Sequence, residues 1–238
     1  MVLIDKYKLL KSLEPAVKDS KILISRAPNP LTKTLQREAL TAFLIAVALE
    51  KSYEEKGENV KFSVCENDGK NDGKIYIENM DENINTIVEL EQIMLTGKEF
   101  EENGVPSPTI LNEALISKIA QKTEHGYSNP ERLVLTLFND TKGISTVDEL
   151  KKFIKEHFKF MFYVYIFLEK TDPYTYVVIN LQPDISGHSE FVVTINDDFQ
   201  NYSVNLKGIK SFNLIGYLKI WLYKITKFIR KLRGKSKT

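Results

Sequence analysis

The chain has 238 residues, 42% hydrophobic and 27% charged, with a net charge of +1. That length supports one large domain around a sizeable core, and that hydrophobic share excludes a chain too polar to fold. The single cysteine, Cys65, excludes an intramolecular disulfide and any cysteine-rich zinc site, and its strand-like surroundings mark it as a small core residue.

The segment Met1–Pro15 carries Asp5, Lys6, Lys8 and Lys11 and lacks the continuous apolar centre of a secretory signal. No uncharged apolar run approaches the roughly 20 residues that cross a bilayer, so a soluble, cytoplasmic protein is expected. The near-neutral charge hides a division. From Phe199 to Thr238 there are ten Lys and Arg and no acid, leaving 23 basic against 32 acidic residues before it, a net −9. A basic tail on an acidic body points to an anionic partner, nucleic acid or a membrane surface, or to a basic face solvated against its own acidic domain.

In chain order, residues 1–20 read as a short amphipathic helix with Ile4, Leu9, Leu10 and Leu13 apolar, ended by Pro15. Pro28 and Pro30 set an extended path, after which Thr32 or Thr34 can cap a long helix running to about Lys56 and closed by Gly57. Leu35, Glu38, Ala42, Ile45 and Leu49 fall on one stripe of that helix. Glu38 is therefore an acid on an apolar stripe. It must face a polar site, be paired, or sit at the margin with its head in water.

Three strand signals follow: Val60–Glu66, Lys74–Asn79 and Ile84–Leu95. Asn-Asp-Gly at 67–69 and 71–73 and Met-Asp-Glu-Asn at 80–83 supply turns, so an antiparallel meander is the simplest pairing. In the third strand Glu89 and Glu91 share a face with Ile87 and Ile93, while Val88 and Leu90 take the other. From Thr109 the spacing of Ile110, Leu111, Leu115, Ile116 and Ile119 predicts a helix that also carries Lys118, Gln121 and Lys122. Leu133–Phe138 is a continuous apolar run, the pattern of a strand covered on both faces with a parallel neighbour.

A capped helix over Ser145–Phe158 leads to another buried strand at Met161–Glu169. Tyr174–Leu181, Ser189–Asn196 and Gln200–Leu206 alternate as antiparallel or edge strands. Ser211–Arg233 spaces Leu214, Leu218, Trp221, Ile225, Phe228 and Leu232 as an amphipathic helix with a basic face, able to dock on the domain, pair in a homodimer or lie on a membrane. The expected architecture is one α/β domain over 1–208, a mixed β-sheet flanked by helices, with a basic helix and tail over 209–238.

The succession of a helix with Glu38, a three-strand meander with Asp72, Glu89 and Glu91, a helix with Lys118 and Lys122, and a buried strand resembles the restriction-endonuclease-like, PD-(D/E)XK nuclease superfamily. The resemblance covers about residues 34–140 and its motif is loose. It implies an α-β-β-β-α-β core in which an acid opens the second strand, an acid-x-lysine pair sits in the third, and a helix glutamate joins them around Mg²⁺. Carried over, Asp72 is the motif aspartate, Glu89 the following acid and Glu38 the helix acid. Glu91 stands where the lysine is expected, and Asn71 replaces the proline before Asp72. Lys118 or Lys122 would then supply the missing cation from the neighbouring helix.

The resemblance implies a protein acting on DNA phosphodiester bonds with Mg²⁺ or Mn²⁺. Elementary chemistry agrees: carboxylates from adjacent strands suit a hard cation that takes oxygen ligands, and such a cation acidifies bound water and offsets charge on an attacked phosphodiester. Two other readings stand beside it. One is a catalytically inactive binding or scaffold protein of the same fold, and the other is a peripheral membrane or partner-binding protein using the C-terminal helix. His125, His157 and His188 have no metal-ligand spacing, and no glycine-rich nucleotide loop is present.

Overall fold

Two hydrophobic periodicities build the molecule. Alternating apolar residues make strands whose two faces each need a cover, and apolar stripes at helical spacing supply the covers. The computed structural model describes residues 1–67, 69, 71–97, 100, 105–127, 129–141, 143, 145–157, 159–169, 172–181 and 190–207. The helix expected over Ser211–Arg233, the boundary at 208–209 and His188 lie outside them.

Among the described residues nine strands form one mixed sheet in sequence order. They are β1 (Leu3–Ile4), β2 (Val60–Cys65), β3 (Gly73–Asn79), β4 (Ile84–Thr96), β5 (Leu133–Asp140), β6 (Phe162–Leu168), β7 (Thr175–Asn180), β8 (Glu190–Ile195) and β9 (Tyr202–Lys207). β2, β3 and β4 form the expected antiparallel meander. β4, β5 and β6 are parallel, and β7 to β9 return to antiparallel pairing. Each parallel step is bridged by a helix, α4 (Pro108–Glu124) between β4 and β5 and α5 (Val147–Glu156) between β5 and β6.

The helices divide between the faces. α1 (Lys6–Lys18), α2 (Ser20–Ile24) and α3 (Gln36–Glu54) share a core with Val88, Leu90, Val134 and Phe138. α4 and α5 share a second core with Ile93, Leu95, Leu133, Leu135 and Leu137. Apart from Thr136, the run Leu133–Phe138 is thus divided between two cores, which is why it reads as a nearly continuous apolar stretch. Cys65 is buried, as its surroundings imply. Among the described residues no helix is long and apolar enough to cross a membrane.

Several local expectations are corrected. The first helix does not stop at Pro15 but runs through it to Lys18, because Ala16 and Val17 beyond it are buried in the α3-side core. Ile4 belongs to a short edge strand paired with Val64, and the helix begins only after Asp5 caps it by accepting from the Lys8 N–H. Neither Thr32 nor Thr34 caps α3. The N-cap position is Leu35, whose N–H donates to Glu38 Oε2 at 2.9 Å, one half of a capping box. α5 follows the expected capping pattern, with Thr146 at the N-cap and Asp148 and Glu149 in its first turn, and ends at Glu156.

Asp140 ends β5 on the α3 side, and burial pushes its carboxyl up to about 6 from an ordinary 3.8. A folded-state value above the unfolded one means that ionising the group costs stability. The cost is absent below pH 4, grows as pH rises to 6 and is fully present above it. Asp140→Asn is therefore expected to raise stability by about 1–2 kcal/mol at pH 7, discounted for partial solvent access, and to leave it unchanged near pH 4. Thermal melts at the two pH values check this, and an equal shift at both would refute it.

Candidate functional site

β3 and β4 bring the acids of the central stretch together through their register. Gly73 pairs with Leu90, so Asp72, one residue earlier, lies across from Glu91. The Asp72 N–H donates to the Leu90 carbonyl at 3.0 Å, and its carboxylate accepts the Gln92 N–H at 2.6 Å. Asp72 is thus clamped along β4 by its own backbone and side chain. A β-carbon at Gly73 would crowd its partner Leu90, 3.3 Å from Cδ1, and would meet Ala42 of α3 at an ordinary 3.7 Å.

The two glutamates of β4 share a face, as the alternation requires, but not an environment. Glu91 is 7% exposed. Its Oε2 accepts from Lys122 Nζ at 2.8 Å and from the Tyr127 hydroxyl at 3.0 Å. Glu89 lies two residues nearer the sheet's rim, has a side chain 37% exposed and stands 3.9 Å from Lys74 Nζ. The gradient continues outward to Ile87, which is 44% exposed, and inward to buried Ile93. The site is therefore built around Glu91, and Glu89 belongs to its margin.

α4 delivers the cation. Leu111, Leu115 and Ile119 bury one stripe in the α4-side core, which turns Lys118 and Lys122 toward β4. Lys118 Nζ donates to the Met94 carbonyl at 3.2 Å, and Lys122 reaches Glu91 one turn later. The end of the helix is buttressed. Lys159 Nζ donates to the carbonyls of Thr123 and His125, placing a positive charge at the helix C-terminus. The Tyr127 ring packs edge-on against Phe160 at 5.5 Å.

Glu38 stands on the α3 side, half-buried and bonded to its own helix start. Burial raises its carboxyl above the ordinary range, the Leu35 N–H and the charge of Arg37 oppose this, and the negative charges of Asp72 and Glu91 add to it. Burial likewise raises Asp72, with Glu91 adding to the rise and the Gln92 N–H, Lys122 and Arg37 restraining it. For Lys122 burial acts downward, but the bonds to Glu91 and Tyr127 outweigh it and hold the ammonium charged well above the usual lysine range. Arg37 thus restrains both carboxyls and Lys122 that of Asp72, against burial and the neighbouring negative charges.

A cleft of about 870 Å³ opens beside this cluster, lined by Glu89, Glu91, Lys118, Lys122, His125 and Tyr127 among others. Of the residues expected at the site, the structure joins Glu91 and Lys122 directly, sets Asp72 across from Glu91 in register and Glu38 within electrostatic reach, and places Glu89, Glu91, Lys118 and Lys122 on the cleft wall. His125 and His157 are exposed. Tyr127, Gln92 and Arg37 were missed. Tyr127 is the one aromatic in an otherwise polar loop, which was the available signal; Gln92 and Arg37 gave none.

Among the described residues no three Asp, Glu, His or Cys side chains stand close enough to hold a metal ion. Mg²⁺ keeps several waters and can be held by one or two carboxylates, and Asp72 and Glu91, across from each other in register, are the pair available to it. The Gln92 side chain is turned the other way, its Nε2 donating to Thr41 of α3 and its buried Oε1 left without a hydrogen-bond partner. The chain is an α/β protein with a mixed sheet covered by helices on both faces. No protein-family model matches it, and no curated protein does either.

Tyr127→Phe keeps the ring against Phe160 and removes the hydroxyl that donates to buried Glu91. Urea unfolding is expected to show a loss of about 1–2 kcal/mol, the scale of a hydrogen bond to a charged group. A loss below about 0.3 kcal/mol would mean that the hydroxyl does not hold Glu91 in solution.

Proposed function

We propose that this chain is a restriction-endonuclease-like protein that hydrolyses DNA phosphodiester bonds, using Mg²⁺ or Mn²⁺ at Asp72 and Glu91 and the ammonium of Lys122. The observation that carries this reading is the 2.8 Å contact of Lys122 Nζ with Glu91 Oε2, opposite Asp72. It supplies, from α4, the cation whose place on β4 Glu91 takes in the linear motif. On this alignment by position, Asp72 and Glu91 are the paired acids, and the lysine comes from the next element. The order α3, β2, β3, β4, α4, β5, with three antiparallel strands and then a parallel one, also supports it.

Each residue then has a role set by its surroundings. Asp72, clamped to the Gln92 N–H, and Glu91, held by two donors, present oxygen ligands without further rearrangement of the backbone. A bound Mg²⁺ would acidify a water and offset charge on the phosphodiester. Lys122, fully charged, orients that water or meets a non-bridging phosphate oxygen. Glu38 and its raised carboxyl stand behind Asp72 as an outer acid. Lys118, His125 and the cleft wall contact the flanking nucleotides, and the acidic body leaves longer-range phosphate attraction to the basic residues after Phe199.

Purified protein with plasmid and single-stranded DNA in Mg²⁺ or Mn²⁺ tests this. Cleavage is expected, with a loss of at least about 100-fold in Asp72→Asn, Glu91→Gln and Lys122→Met, and less than about tenfold in Glu89→Gln. DNA left intact by the wild-type protein in both metals would exclude the nuclease reading and favour a binding or scaffold role.

A further inference from the structure

The cleft wall carries several hydrogen-bond donors, and their surroundings separate those that can release a proton from those that hold it. Burial acts against the charge of Lys122, but its bonds to Glu91 and Tyr127 outweigh this and hold its proton well above the usual lysine range. Burial likewise raises the Tyr127 hydroxyl. Lys118 Nζ is turned to the Met94 carbonyl at 3.2 Å. Gln121 and Asn129 offer amides, which donate hydrogen bonds but do not transfer protons. The remaining donor is His125, whose ring is exposed, and histidine is the side chain that gives and regains a proton near neutrality.

The backbone presents that ring from a fixed point. His125 is the C-cap of α4, its N–H donating to the Gln121 carbonyl at 3.1 Å and its carbonyl accepting from Lys159 Nζ at 3.2 Å. The ring meets the Tyr127 ring edge-on at 4.8 Å, and the Tyr127 hydroxyl reaches Glu91 Oε2 at 3.0 Å. His125 therefore stands one aromatic ring away from Glu91 along the cleft. In-line displacement at phosphorus puts the entering and leaving oxygens at opposite ends, so a group that protonates the leaving oxygen must stand apart from the acids at the entering side. His157, the other described histidine, is stacked on Phe153 at 4.2 Å and does not line the cleft.

Resting on the hydrolytic reading above, we infer that His125 is the general acid of that reaction, giving its ring proton to the sugar oxygen that leaves phosphorus. The oxygen of the attacking water forms the new bond to phosphorus as the bond to the sugar oxygen breaks. The electron pair of the broken bond takes the His125 proton, the surplus proton of the water passes to bulk solvent through the open cleft, and the exposed ring is reprotonated from solvent. One water is consumed, and the strand is divided into a phosphate monoester end and a hydroxyl end. A sugar alkoxide leaves poorly without a proton, so such a donor contributes about 100- to 10,000-fold.

The test compares two leaving atoms on the full chain with Mg²⁺ or Mn²⁺. The linkage that wild type cuts is mapped from its products on a short DNA strand. The strand is then made again with sulfur in place of the leaving oxygen, because a thiolate departs without a proton. His125→Gln and His125→Ala are expected to cut the oxygen strand at least about 100-fold more slowly than wild type and the sulfur strand within about threefold of it, with His157→Ala as the unchanged reference. Fluorescence anisotropy in EDTA should show His125→Gln binding the strand within about twofold of wild type. Losses on the two strands that differ by less than about tenfold, or a binding loss that matches the rate loss, overturn the acid while leaving the hydrolytic reading in place. A wild-type protein that leaves every strand intact removes that reading, and the acid with it.

Discussion

A carboxylate sunk into the fourth strand of a large sheet must be neutralised, and much of the architecture around Glu91 follows from that requirement. Leaving such a group without a partner costs on the order of 3–5 kcal/mol, a large part of the stability of an ordinary domain. The counter-charge comes from α4, which must lie at a rotation that buries Leu111, Leu115 and Ile119 and still points Lys122 at β4. Lys159 fixes the end of that helix, and Tyr127 leaves it at the distance needed to share Glu91. The ion pair, the helix orientation and the cleft wall are one solution to one electrostatic problem.

The same problem separates acids that look alike in sequence. Glu89 and Glu91 point the same way, yet the first stands at the rim beside Lys74 and the second lies under the end of α4. Burial depth along β4 decides which of them is constrained. Asp72 enters through register rather than spacing: pairing of Gly73 with Leu90 sets it across from Glu91, and the Gln92 N–H holds its carboxylate in place. Glu38 joins through the start of α3, where it caps its own helix and feels both other acids.

The meander of β2 to β4 and the parallel neighbour of β5 were legible because they follow from local pattern. Turn residues separate β2, β3 and β4, and a doubly apolar run at Leu133–Phe138 demands two covers. What stayed hidden depends on contacts between distant segments. Pro15 reads as a helix terminator, but the burial of Ala16 and Val17 against the α3-side core carries the helix past it. Thr32 and Thr34 read as caps, but they bond to each other while Glu38 serves the helix start. The pairing of Lys122 with Glu91 joins residues 31 positions apart, and the preference for Glu91 over Glu89 is invisible in an alternating strand.

On the proposed reading, a motif that lacks its lysine on the strand retains the corresponding charge through Lys122 of α4. A lysine at position 91 would project from β4, with Glu89 two residues toward the rim as its acid. Here the acid occupies the deep position and the ammonium descends from the helix, so the two exchange places in sequence while remaining neighbours in space. The exchange has an electrostatic consequence. A strand lysine would be held by the sheet, whereas Lys122 reaches Glu91 from the last turn of α4, beside Tyr127, and together with Arg37 restrains the carboxyl of Asp72 against the rise that burial and Glu91 impose.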